Sequence, residues 1–133
     1  MTASLNELEK VVSMIDKSLP NGGVILLRGD LASGKTTLVK EFVNSLGLSD
    51  EATSPTFLIQ NIYGDRVYHY DIYNEGVEKF IESGLLEELE KDGYHFIEWA
   101  DERLEEIVKS YGFKVMTIMI NPISSDKREY IYA

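Results

Sequence analysis

Gly29-Asp30-Leu31-Ala32-Ser33-Gly34-Lys35-Thr36 decides the reading of this 133-residue chain. The run fits G-x-x-x-x-G-K-[ST], the spacing of a phosphate-binding P-loop. Each fixed position has its own task. Glycines let backbone N–H groups approach phosphate oxygens with no side chain between. Lys35 would reach the β- and γ-phosphates, and Thr36 would place a hydroxyl on Mg²⁺. A helix opening at Lys35 would aim the positive end of its dipole at the same anion.

The flanks supply the setting that this loop requires. Val24-Ile25-Leu26-Leu27-Arg28 reads as a short buried strand after the turn Pro20-Asn21-Gly22-Gly23. From Lys35 to Leu46, the residues Leu38, Val39, Phe42, Val43 and Leu46 recur at helical spacing, and Gly47 is placed as the C′ residue.

Further out, Ser4-Leu5-Asn6-Glu7 fits a capping box. Leu5, Leu8, Val11, Val12, Ile15 and Leu19 then form the apolar stripe of an opening helix, ended by Pro20. Ser49 to Thr56 is polar and turn-rich, broken by Pro55. Phe57 to Tyr63 and Arg66 to Tyr70 read as a hairpin joined at Gly64-Asp65. Ile72 to Gly93 reads as helix in two pieces with a break at Gly84. Tyr94 to Ile97 is a buried strand, Leu104 to Tyr111 a helix stopped by Gly112, and Phe113 to Ile120 an alternating strand. Asn121-Pro122 is read as the start of a turn, and Glu129 to Tyr132 as a last, edge strand. The order predicts an α/β fold: a P-loop NTPase-like three-layer α-β-α sandwich with a mixed, mainly parallel sheet, a single domain over residues 1–133.

Composition bounds the function. At 44% hydrophobic the chain can bury a core, and no apolar run approaches the length of a membrane span. The N-terminus lacks a basic region followed by an apolar stretch, so no signal peptide is expected. The absence of cysteine excludes disulfides and thiolate zinc sites and makes a cytoplasmic setting the default. A net charge of −10 argues against gripping nucleic acid alone. It does not argue against a nucleotide, because Lys35, Mg²⁺ and a helix N-terminus act well inside the ~8 Å screening length. Distant acidic faces would favour a basic protein partner.

Two acids end apolar strands, Asp71 after Val67-Tyr68-His69-Tyr70 and Glu98 after His95-Phe96-Ile97. In open α/β sheets ligands sit at the carboxyl ends of parallel strands. A P-loop enzyme needs one group there for Mg²⁺ and one to orient the attacking water. The sequence assigns Asp71 to the metal, because a short side chain holds a hard cation rigidly, and Glu98 to the water. The reverse assignment stays open, as does a helix- or turn-capping role for either acid. Thr56, in the polar loop before the hairpin, stands where switch loops sense a γ-phosphate, often with a hydroxyl on Mg²⁺.

Four motifs taken together resemble one family. They are Gly29-Asp30-Leu31 to Lys35-Thr36-Thr37, Ser54-Pro55-Thr56-Phe57, His69-Tyr70-Asp71-Ile72-Tyr73, and Glu98-Trp99. In order and spacing the chain resembles TsaE (also called YjeE), the P-loop ATPase of bacterial threonylcarbamoyl-adenosine tRNA modification. The resemblance implies Mg²⁺-dependent ATP binding and weak hydrolysis. It implies work with TsaB and TsaD, which with TsaC install the modification beside the anticodon, ATP turnover resetting the TsaB–TsaD complex. Contact with tRNA would come only through that complex, with no membrane involved and the chain a monomer or weak oligomer. Carried over by motif, nucleotide contacts run from Gly29 through Thr37 (Asp30, Leu31, Ala32, Ser33, Gly34, Lys35 and Thr36 included) and add Thr56. Thr36 and Asp71 serve the metal, and Lys35 and Glu98 the catalysis. The chain departs from the family pattern in Ala32-Ser33, where Gly-Ala is usual, and in Asn74, where Arg is usual. Ala32 disfavours positive φ by ~1 kcal/mol or more, which implies a slightly different loop there.

Two rival functions remain. A small metabolite kinase would need cations around the transferred group, but Arg28, Arg66, Arg103 and Arg128 form no cluster in the sequence. A nucleotide-sensing module would bind ATP and dock a partner through a switch loop without useful hydrolysis. His69 and His95, within apolar strands, read as satisfied core residues. Tyr63, Tyr68, Tyr70 and Tyr73 read as one packed hairpin face, and Glu87, Glu88 and Glu90 as a solvated helix face.

Overall fold

The computed structural model describes residues 1–29, 34–49, 60–64, 66–72 and 76–133. The sequence expectations at Asp30 to Ser33, over Ser54-Pro55-Thr56-Phe57, and at Tyr73 and Asn74 lie outside them. Strand β1 (Thr2–Ser4) leads through a 3-10 turn at Leu5–Glu7 into α1 (Leu8–Ser18). Next come β2 (Gly23–Arg28), α2 (Lys35–Ser45), β3 (Gln60–Tyr63) and β4 (Val67–Asp71). The short helices α3 (Gly76–Glu82) and α4 (Leu85–Glu88) precede β5 (Tyr94–Glu98), α5 (Glu102–Ser110), β6 (Val115–Pro122) and β7 (Lys127–Tyr132).

The strands form one seven-stranded sheet in the order β1-β7-β6-β2-β5-β4-β3. Its centre, β6-β2-β5-β4, is parallel. β3 joins β4 antiparallel, and β7 pairs antiparallel with both β6 and β1. This is the mixed, mainly parallel α/β sandwich that the motif order predicts. Strand pleating sends alternate residues to opposite faces. On β2, Ile25 and Leu27 pack with Leu8, Val11, Ile15, Leu38 and Phe42 of α1 and α2. Val24 and Leu26 pack on the other side with Phe80, Leu85, Leu104 and Val108 of α3, α4 and α5. Covered on both faces, β2 has to be apolar without alternation, and the sequence there is. Each such side chain contributes roughly 1.5–3 kcal/mol by leaving water.

The helix after the loop ends where its glycine says it must. Gly47 has φ +74, its N–H reaches the Asn44 carbonyl at 3.0 Å and the Leu48 N–H reaches that of Val43 at 3.2 Å. That pair is a Schellman motif. At the chain start, the backbone N–H and the hydroxyl of Ser4 both donate to Glu7 Oε1, at 3.1 and 3.0 Å.

Other expectations are corrected. Asn121 and Pro122 do not open a turn. They pair with Glu129 and Arg128 and lengthen β6, because Pro at the end of a strand costs the ladder little. β7 starts at Lys127 and is not an edge strand, because β1 covers its outer side. Three residues are too few to show a two-residue period, so β1 gives no sequence signal. Ile72 is not helical: its N–H points to the Glu98 carbonyl at 3.4 Å, and α3 starts at Gly76. α5 starts earlier than its apolar spacing suggests, since Asp101 caps it by accepting the Leu104 N–H at 2.9 Å. The tyrosines do not share a face, since Tyr63 packs with α1 and α2 and Tyr68 and Tyr70 with the opposite layer. No helix among the described residues is long and apolar enough to cross a membrane.

Gly93 sets the entry to β5. It has φ +130, and a Cβ there would stand 2.3 Å from the Arg66 carbonyl oxygen. That carbonyl already accepts the Tyr94 N–H at 2.8 Å, and the Gly93 carbonyl accepts the Gly23 N–H at 3.0 Å. Gly93→Ala is expected to destabilise the fold by ~2 kcal/mol or more through backbone strain. An unchanged urea midpoint would contradict this.

His95 is the core histidine that the sequence suggests. Tyr70 O–H donates to its Nδ1 at 2.8 Å and its Nε2–H donates to the Lys91 carbonyl at 2.8 Å. The Tyr68 ring stacks on it with centroids 4.5 Å apart. Burial pushes its pKa below the ordinary 6.5, outweighing the Lys91 carbonyl bond and the Glu88 charge, which act the other way. The folded chain therefore keeps His95 neutral, while the unfolded chain takes up a proton near 6.5. This stability is complete above that pH and is lost as pH falls toward the folded-state value. The urea midpoint should drop between pH 7 and 5, and His95→Gln should flatten that slope. An equal slope in the variant would contradict the assignment.

Candidate phosphate and metal site

The carboxyl ends of β2, β5 and β4 meet at the start of α2. Leu27 of β2 is the register partner of Glu98, and Glu98 is the partner of Asp71. Register partners share a face of the sheet. Leu27 packs with α1 and α2, so both acids project from that layer, above the helix that Lys35 opens.

The loop's two described glycines carry unusual backbone. Gly29 has φ +143, and Gly34, the N-cap of α2, has φ +99. Among the described residues a Cβ at Gly34 would meet nothing within 4 Å, and the positive φ is what calls for glycine there. Lys35 is only 3% exposed. Its ammonium donates to the Gly29 carbonyl at 2.5 Å and lies 3.6 Å above the centroid of the Trp99 ring. The ammonium is thereby folded back toward the end of β2, with the indole face stabilising its charge. Trp99 can do this because it turns the chain sharply after β5. At φ +69 it is the one non-glycine with positive φ among the described residues. Such strain in an aromatic residue costs about 1–2 kcal/mol and persists only where the surroundings impose it.

Glu98 is 4% exposed, at the end of β5. The Thr36 hydroxyl donates to its Oε2 at 2.9 Å. His69 Nε2 is hydrogen-bonded to the same oxygen. Burial raises the pKa of Glu98, but the hydrogen bonds from His69 and Thr36 and the nearby Lys35 charge outweigh it and hold the carboxyl below the usual range. Glu98 is therefore an anion at neutral pH, and His69 donates through Nε2–H. Asp71 is exposed, at the end of β4 beside Glu98. Thr37 is exposed in the first turn of α2. A cleft of about 290 Å³ opens next to Gly29, bounded by Arg28, Trp99, Met119 and Asn121.

Of the sequence candidates, Lys35, Thr36 and Glu98 thus meet at one end of the sheet, with Gly29, Gly34 and Asp71 around them. His69 is the residue that sequence reasoning missed. The sequence groups it with His95 as a core histidine, yet strand alternation sends His69 and Asp71 to one face and His95 to the other. The i, i+2 spacing of His69 and Asp71 was the available signal. Glu88 likewise departs from the solvated face expected of it, since its Oε1 accepts from buried Gln60 Nε2 at 3.2 Å.

Strand, glycine loop and helix in this order, inside a mainly parallel sheet, place the chain among P-loop-type α/β proteins. Residues 2–130 match the family described as "Threonylcarbamoyl adenosine biosynthesis protein TsaE". The chain belongs to the TsaE family. It is similar to the tRNA threonylcarbamoyladenosine biosynthesis protein TsaE of Treponema pallidum, at 34% identity over 91% of this chain and 89% of that one. The protein of the same name from Bacillus subtilis is 34% identical over 84% of this chain and 77% of that one. Among solved structures, YdiB of Bacillus subtilis superposes with a TM-score of 0.60 and 26% identity, covering 98% of this chain and 82% of that one.

Proposed function

We propose that this chain is a cytoplasmic, Mg²⁺-dependent ATPase, one domain over residues 1–133, supporting threonylcarbamoyl-adenosine formation in tRNA by a TsaB–TsaD complex. The observation that carries the chemical part is the Thr36–Glu98 hydrogen bond of 2.9 Å. It ties the hydroxyl that follows the P-loop lysine to a buried carboxylate on the neighbouring strand. The pathway part rests on family membership.

The donor set suits Mg²⁺. Among the described residues no cluster of three His, Asp or Glu side chains could hold a metal by itself. One hydroxyl and one or two carboxylates are what Mg²⁺ takes when it keeps waters and shares substrate phosphates. Thr36 and Glu98 would hold it, and it would neutralise charge on the β- and γ-oxygens. This exchanges the two acids relative to the sequence assignment, because Glu98 and not Asp71 engages Thr36. Asp71, exposed on the next strand, then orients the attacking water.

Lys35 leaves the Gly29 carbonyl to meet the β- and γ-phosphates. Backbone N–H groups of the loop and the first turn of α2, from Gly29 to Thr37, bind the same oxygens. The nucleoside end has room in the cleft beside Gly29. Thr56 senses the γ-phosphate from the switch-like segment.

Turnover by the chain alone is slow, for want of a second cation at the transferred phosphoryl group. Arg28 is tied to the Ala100 carbonyl at 3.2 Å and to Glu105 at 3.1 Å. Arg103 pairs with Glu78, Arg128 bonds the backbone at Ser124, and Arg66 lies at the far end of β4 from Asp71. The same spread disfavours a metabolite kinase. Phosphate release from ATP by the purified chain tests the proposal. It should be slow, require Mg²⁺ and need no added acceptor. Nucleotide binding without any release would leave a sensing module, and release that depends on a metabolite would indicate a kinase.

A further inference from the structure

We propose that His69 is a positioning residue of this site: it fixes the Glu98 carboxylate in the orientation that meets Thr36 and a divalent cation. The inference rests on Glu98 being the metal-side acid, as proposed above.

Four observations converge on it. His69 stands two residues before Asp71 on β4, so both side chains share one face, and the register sets Asp71 opposite Glu98. His69 therefore lies one pleat deeper than the acids, beneath the carboxylate. It is 5% exposed, too deep to touch a nucleotide itself. Its Nε2 bonds Glu98 Oε2, the same oxygen that accepts the Thr36 hydroxyl. Two donors on one oxygen, from different elements, restrict a side chain with three rotatable torsions to one orientation. Finally, His69 is the one charge-assisted tie between the strand that carries Asp71 and the acid on β5 among the described hydrogen bonds.

The alternative is that His69 simply fills space. The other histidine shows what that looks like: His95 satisfies both ring nitrogens with Tyr70 and the Lys91 carbonyl and touches neither acid. His69 instead gives Nε2 to Glu98, the one buried carboxylate among the described residues. Outer partners of this kind orient metal ligands, and their removal typically weakens metal affinity ~10–100-fold.

The test reads metal binding and not activity. Mn²⁺, which accepts the same oxygen donors, is titrated into the full chain saturated with ADP, and free Mn²⁺ is read by electron paramagnetic resonance. His69→Ala should weaken Mn²⁺ binding by roughly 10–100-fold while metal-free ADP affinity stays as in the native chain. His69→Gln, whose amide N–H can reach the place of Nε2, should recover most of the loss. His69→Asn, whose amide reaches only the place of Nδ1, should not. Native-like Mn²⁺ binding by His69→Ala overturns the proposal. So does equal weakness of the Gln and Asn variants, since loss of packing alone would produce it. That second comparison also decides the matter should His69→Ala fail to fold. A native chain that binds Mn²⁺ and ADP but hydrolyses no ATP defeats the ATPase reading and leaves the role of His69 to be judged by the titration. A native chain that binds no ADP overturns both.

Discussion

Lys35→Ala lowers ATP turnover by the purified chain by at least ~10²-fold, the scale set by removing one preorganised charge at a phosphoryl transition state. The structure explains why nothing else compensates. Lys35 is only 3% exposed, its ammonium held by the Gly29 carbonyl and the Trp99 ring. These partners are weaker competitors than a phosphate, since neither carries a full negative charge. Lys35 can therefore exchange them for the β- and γ-oxygens with little rearrangement. The four arginines lie elsewhere or are engaged, so none of them takes its place. The variant should keep a thermal midpoint close to the native one, because its alanine stays in the first turn of α2 with high helix propensity. Phosphate release within a few-fold of the native rate would contradict the assignment.

Glu98→Gln has the second largest effect: kcat falls by ~10²–10³-fold while metal-free ADP binding persists. Glutamine keeps the shape, so the fold survives. It removes the negative charge that Thr36 and His69 address and that a divalent cation requires. Placed where Oε2 stands, the amide oxygen still accepts from Thr36 and His69, so the loss falls on the charge and on the second oxygen. Glu98→Ala should cost stability as well, since the buried His69 donor would then lack its acceptor. A Glu98→Gln chain with native kcat would contradict a catalytic role for Glu98, on the metal or on the water.

Much of this was legible in the sequence because the deciding signals are local. A glycine loop between an apolar run and a helical stripe needs only adjacent residues to be read. So do the Gly47 stop and the Ser4–Glu7 capping box. The acids at the ends of β4 and β5 were visible too, but which of them meets Thr36 was not, because that follows from strand order. β5 sits next to β2 in the sheet, with β4 one strand further out. Sequence carries no direct record of that order. The role of His69 was hidden for the same reason. Its neighbour Glu98 is 29 residues away and meets it only across a parallel ladder. β1 and the interior place of β7 were missed because a three-residue strand has no period, and its pairing closes almost the full length of the chain.

The central claim joins the P-loop chemistry to tRNA modification. The direct measurement is mass-spectrometric quantification of threonylcarbamoyl-adenosine in tRNA from cells depleted of this protein, then supplied with either the native chain or Lys35→Ala. The account predicts that the modification falls on depletion, that the native chain restores it, and that Lys35→Ala does not. An unchanged level on depletion, or equal restoration by Lys35→Ala, would contradict it.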